Sequence, residues 1–97
     1  MAAYFVFNHK VLDAEKLNQQ YLPEAIKTLE PYDVEALVGD DSYSVVEGEI
    51  PEDRMVILKF SSKEEAMRWY NSPEYQAAVK IRQKVADSEL IIVEGVE

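Results

Sequence analysis

Residues 55–82, MVILKFSSKEEAMRWYNSPEYQAAVKIR, hold the elements from which the rest of the chain can be placed. Met55–Phe60 contains one polar residue, Lys59, and a run of that kind reads as a strand covered on both faces. Ser61 and Ser62 stop it. Ser62 is followed three positions later by Glu65, the S-x-x-E pattern in which the two side chains satisfy free backbone N–H groups at a helix start, so a helix is predicted from Lys63. Its Ala66, Trp69 and Tyr70 share one face. Asn71-Ser72-Pro73 interrupts it, because a residue before proline avoids helical geometry. The same Ser72 can cap a new helix with Pro73 in its first turn, where the missing N–H has no helical partner to lose. This second helix places Tyr75, Ala78, Val79, Arg82, Val85 and Ala86 on one side. At about 100° per residue, Arg82 falls near the middle of that apolar stripe.

Upstream, Tyr4–Val11 (YFVFNHKV) reads as a strand with Phe5, Phe7, His9 and Val11 on one face and Tyr4, Val6, Asn8 and Lys10 on the other. Asp13 is a candidate helix cap. Leu17, Tyr21, Leu22, Ala25, Ile26 and Leu29 then form a broad apolar face. Pro23 lies inside that pattern and is expected to break, kink or restart the helix; Glu30-Pro31 ends it. Val34–Val38, a turn at Gly39-Asp40-Asp41-Ser42 and a returning strand Tyr43–Glu47 are expected to form a hairpin. Gly48–Asp53, with Pro51, reads as a loop. Downstream, Asp87-Ser88 is expected to end the last helix, and Leu90–Val93 (LIIV) is a final buried strand.

The order strand, helix, strand, strand, helix pair, strand predicts an α+β fold of ferredoxin-like βαββαβ type. Its sheet is antiparallel and both helical layers lie on one face. Yet Val56, Leu58 and Phe60 point to one face while Met55 and Ile57 point to the other, and Leu90/Ile92 and Ile91/Val93 divide in the same way. Helices cover only one side. A second copy of the same sheet, placed by a two-fold axis, is the simplest cover for the other, so a homodimer through the sheet face is expected.

Composition narrows the function classes. Residues 1–97 have room for one domain. Lys plus Arg is 10 and Asp plus Glu is 19, a net charge of −9, which argues against nucleic acid and against an anionic membrane surface. The chain contains no cysteine, so it has no thiolate nucleophile, thiolate metal site or disulfide. MAAYFVFNHK lacks a basic region ahead of its apolar run, and no stretch approaches about 18 apolar residues; a cytoplasmic location is the expectation. With three glycines in the chain, no glycine-rich phosphate loop can be built, and no acidic cluster at metal spacing accompanies the single histidine. No metal and no cofactor are expected.

The sequence W-Y-N-S-P-E-Y-Q-A over residues 69–77, with Arg82 seven positions after Tyr75, preceded by V-I-L-K-F-S-S and followed by I-I-V-E-G-V, resembles the domain of unknown function family 1330 of the dimeric α+β barrel superfamily. Val46-Glu47-Gly48 resembles that family's hairpin end, and the likeness spans nearly the whole chain. Asp33-Val34 stands where relatives usually have Gly-Gly. The resemblance implies two ferredoxin-like sheets closing a barrel across a dimer, and no particular reaction. Related branches include cofactor-free monooxygenases, lactone isomerases and haem-binding proteins.

The residues that carry chemistry admit more than one reading each. Arg82 can hold a carboxylate or similar anion in its planar fork, form a structural ion pair with Glu47 or Glu94, or snorkel its charged head to water. Tyr75, Tyr70 and Trp69 can line a pocket for a flat organic ligand or simply pack the core. Ser72 borders that pocket or acts only as a cap. His9, the only histidine, is the candidate catalytic residue, or a strand-end histidine with water or backbone partners. Ligand-binding candidates are therefore Arg82, Tyr75, Trp69, Tyr70, Ser72 and Glu47. The leading functional expectation is binding of a small anionic or aromatic molecule. A cofactor-independent monooxygenase or isomerase is the alternative, and a structural or stress-related dimer the third.

Overall fold

The structure is a computed structural model that describes residues 1–50 and 53–96. Strand β1 (Ala3–Val11) leads into a short helix α1 (Ala14–Lys16), a π-helical turn (Leu17–Tyr21) and helix α2 (Leu22–Leu29). Strands β2 (Val34–Asp40) and β3 (Arg54–Phe60) follow, then helices α3 (Lys63–Tyr70) and α4 (Pro73–Val85), and strand β4 (Ala86–Glu94). The four strands form one antiparallel sheet in the order β2-β3-β1-β4. This is the expected α+β, ferredoxin-like plan, with β1 and β3 central.

Local signals set most element ends. The Ser62 hydroxyl accepts from Glu65 N at 3.1 Å and the Ser72 hydroxyl from Tyr75 N at 3.2 Å, so the expected capping and the Ser-Pro restart divide α3 from α4. Pro23 is accommodated by the widened turn before it. Leu22 N reaches back to Leu17 O, and the proline, which has no N–H to place, enters the first turn of α2.

Three boundaries differ from the sequence expectation. The returning strand is Arg54–Phe60, not Tyr43–Glu47, which is irregular. A sheet between helices and a second apolar face selects the partner that is apolar on both sides, and MVILKF is, whereas YSVVE is not. Strand β2 runs on through Asp40, and Asp40 Oδ1 then accepts from Ser42 N at 2.8 Å in an Asx turn. Helix α4 ends at Val85 and not at Asp87-Ser88, and β4 runs Ala86–Glu94 and not only Leu90–Val93, because Val85 O accepts from both Leu12 N and Asp13 N and Ala86 is already paired with Val11. Pro51 and Glu52 of the expected loop lie outside the described residues.

The core sits between the sheet and the helices. Phe5, Phe7 and Phe60 from the strands surround Trp69, which is 1% exposed; its indole lies 3.9 Å, centroid to centroid, from the Tyr75 ring. Trp69 Nε1 donates to Thr28 Oγ1 at 3.0 Å, so the large ring is both packed and satisfied. The opposite face of the sheet carries Val6 between its register partners Ile57 and Ile91, with Tyr4, Met55 and Val93 around them. Ile91 is 58% exposed.

Candidate functional site

Strand parity puts His9 behind Phe5 and Phe7 on the helix-facing side of β1, and Arg54 ahead of Val56 and Leu58 on the same side of β3. The two residues are register partners and both are buried. The π-helical turn supplies Asn18 and Tyr21 above them. Arg54 Nη1 donates to Asn18 Oδ1 at 2.8 Å, while Nε and Nη2 donate to the two carboxylate oxygens of Asp41 at 2.7 and 3.2 Å. Asp41 follows directly after β2. These groups form the polar end of a cavity of about 500 Å³. Leu22, Ala25, Ile26 and Leu29 of α2 form one wall. Val56 and Leu58 of β3 form another, with Trp69 and the bulged stretch Ala36–Gly39 of β2 completing it. The bulge at Leu37 adds one residue to the edge strand and turns apolar side chains toward this space.

His9 Nδ1 lies 2.6 Å from the Ser88 hydroxyl, its register partner on β4. Burial, then the charges of Arg82 and Arg54, lower its pKa to about 4. The imidazole is therefore neutral at neutral pH. Ser88 holds one ring nitrogen, leaving Nε2 as the nitrogen for a cavity occupant.

Behind the cavity wall the Tyr21 and Tyr75 hydroxyls meet at 2.6 Å. Burial raises both pKa values, so both hydroxyls stay protonated. The Arg82 Cζ lies 5.9 Å from the Tyr21 ring centroid, within cation–π reach. Arg82 is 4% exposed, and its Nε has no hydrogen-bond partner among the described residues.

The candidates from the sequence are thus distributed over several places. Trp69 and His9 line the cavity. Tyr75 is fully buried behind Trp69. Tyr70 and Arg82 border a separate groove beside Gln83, Asp87 and Ser88. Ser72 caps α4, and Glu47 lies exposed in the loop after β2. Among the described residues, the expected ion pair of Arg82 with Glu47 or Glu94 does not form; the pairs are Asp41–Arg54 and Glu65–Arg68. Glu94 stands at the far end of β4, eight residues or about 26 Å of strand from Ala86, where α4 delivers Arg82. Sequence reasoning missed Arg54, Asn18, Asp41, Tyr21 and Ser88. Arg54 had a signal: it is in phase with Val56, Leu58 and Phe60, immediately ahead of the apolar run.

Among the described residues no group of three or more histidine or acidic side chains could hold a metal ion, and no helix is long and apolar enough to cross a membrane. The model of a domain of unknown function (DUF1330) matches residues 2–96. The chain belongs to that family. No curated protein matches this DUF1330 chain. Among solved structures, it is similar to the RPA0582 protein of unknown function from Rhodopseudomonas palustris, at 18% identity and a TM-score of 0.80 over 99% of this chain and 83% of that one. It is also similar to SnoaB, a cofactor-independent oxygenase from Streptomyces nogalater, at 10% identity and a TM-score of 0.68 over 99% and 94%. A dimeric ferredoxin-like protein of unknown function from Thermobifida fusca matches at 14% identity and a TM-score of 0.59 over 98% and 92%. At these identities the likeness shows the fold.

Proposed function

We propose that this DUF1330 protein binds a small, largely apolar organic molecule in the cavity between α2 and the sheet, with a polar group of the ligand against the His9–Arg54 end. The observation that carries the reading is the cavity itself: about 500 Å³, walled by aliphatic side chains and Trp69, closing on a few convergent polar groups. The reading requires no cofactor. It includes a homodimer formed through the Val6, Ile57 and Ile91 face, a feature supported by the dimeric ferredoxin-like relative. Arg82, beside Tyr70 in the neighbouring groove, is a second position for an anionic group.

A second reading, a cofactor-independent enzyme, draws on SnoaB and on His9 as proton acceptor. Proton energetics rank it below binding. Burial and the nearby guanidinium groups hold the imidazole at about 4, well below the pKa of a phenol-like hydroxyl, so proton transfer to it is uphill. Two nearby guanidinium groups narrow that gap for a substrate that becomes an oxyanion. A ligand that is already an anion faces no such cost.

Native mass spectrometry of the protein purified from cells tests the proposal. The expected result is a bound organic mass that is lost in Ala25→Phe, whose ring fills the cavity. Ligand-free protein throughout, together with no response of Trp69 fluorescence to aromatic acids or amides, would refute it.

A further inference from the structure

We infer that Arg54 is the carboxylate-recognising group of this cavity and that Asp41 occupies its fork as a tethered stand-in, so that an aromatic carboxylate enters by displacing Asp41. This deepens the binding reading above and rests on it.

The Arg54 side chain is 10% exposed and its partner Asp41 is 67% exposed. An exposed carboxylate regains its hydration when it swings out, so the pair costs little to open from the Asp41 side. Arg54 has no such escape and must keep an acceptor. The geometry then states which acceptor. Nε and Nη2 meet the two oxygens of one carboxylate, the parallel arrangement that a guanidinium offers to any planar carboxylate. Asn18 takes Nη1, so the plane of the fork remains oriented when Asp41 leaves.

Both Arg54 and Asp41 border the cavity, so the exchange happens at its polar end. One carboxylate replaces another, and no buried charge is left unpaired. Arg82 adds a second positive charge near His9, and neutral His9 adds none. The remaining walls are aliphatic or the Trp69 indole, which sets the rest of the ligand as an apolar, ring-bearing body. In a chain of net charge −9, Arg54 is the one cationic side chain lining this cavity among the described residues, and its own loop carboxylate screens it against weak anions.

Isothermal titration of the full chain with 4-tert-butylbenzoate and with its uncharged counterpart, 4-tert-butylbenzamide, tests the inference. Asp41→Asn removes the competing charge and keeps the side-chain shape. It is expected to bind the benzoate about fivefold more tightly than the unsubstituted protein, the factor equivalent to about 1 kcal/mol, with the amide unchanged. Arg54→Gln is expected to lose the preference for benzoate over amide. Arg54→Lys, which keeps the charge but not the planar fork, serves the same purpose if the glutamine variant does not fold. Benzoate affinity unchanged in Asp41→Asn, or equal tightening of both probes, overturns this inference and leaves the binding reading standing. Failure of both probes to bind every protein overturns this inference, and the binding reading falls with it only if native mass spectrometry also finds the protein ligand-free and Trp69 fluorescence responds to no aromatic acid or amide.

Discussion

The hydroxyls of Tyr21 and Tyr75 lie 2.6 Å apart, joining the π-helical turn to α4 across the back wall of the cavity. Neither ring can leave: Tyr21 is 4% exposed and Tyr75 is fully buried. The contact fixes the turn that also carries Asn18, and through Asn18 it bears on the orientation of Arg54.

Removing one hydroxyl leaves the other without its partner in a dry site. Tyr21→Phe and Tyr75→Phe are each expected to lower unfolding free energy by about 1–3 kcal/mol. The double substitution should cost clearly less than the sum, since two phenylalanines leave no unpaired hydroxyl. Urea unfolding of the three variants measures this, and strict additivity would show that the two groups do not interact.

His9 is the only histidine, so its titration can be read directly by proton NMR. Its ring resonances are expected to stay in the neutral form until the pH approaches about 4. Because the folded value lies below 6.5, the unfolded chain takes up this proton first. The His9 contribution to stability is complete above about pH 6.5 and declines as the pH falls toward 4, by about 3 kcal/mol over that window. His9→Asn should remove that share of the pH dependence. A midpoint near 6.5 in the folded protein would contradict the buried placement.

The Ser72 hydroxyl accepts from Tyr75 N and also donates to Trp69 O at 2.7 Å, so one side chain ends α3 and begins α4. Ser72→Ala is expected to cost about 1 kcal/mol, within the range for a lost helix cap, without changing oligomeric state or ligand affinity. Thermal unfolding reads the loss. A large change in ligand affinity would mean that Ser72 does more than cap.

The face around Val6, Ile57 and Ile91 gives the proposed homodimer a definite test. Ile91→Glu places a charge among those side chains and is expected to shift the protein from a mass near 22 kDa, twice 11.1 kDa, to the mass of one chain in light scattering. A stable interface of this kind buries about 800 Å² per partner, and one charge at its centre is enough to open a marginal dimer. An unsubstituted protein that runs as a single chain at micromolar concentration would refute the dimer.

Much of the fold is legible because its signals are local. The Ser62 and Ser72 caps act on N–H groups three residues away, and strand alternation puts Phe5, Phe7 and His9 on one face without reference to the rest of the chain. The hairpin partner was less legible. YSVVE is nearer to Val34–Val38 in sequence and suits a strand by composition, but pairing is settled by which strand can be buried on both faces, and that is MVILKF.

By itself, the sequence determined the βαββαβ order, the break at Ser72-Pro73, the inward phase of Arg82, and membership of the family. Only the tertiary structure decided the site. Asn18, Asp41 and Arg54 come from three different elements and meet through hydrogen bonds between residues 13 and 36 positions apart. Arg82, inward as its phase required, found the Tyr21 ring and neither expected carboxylate. Periodicity tells which way a side chain points. Its partner depends on how far each strand runs and where each turn ends, and those are set by the packing of the whole chain.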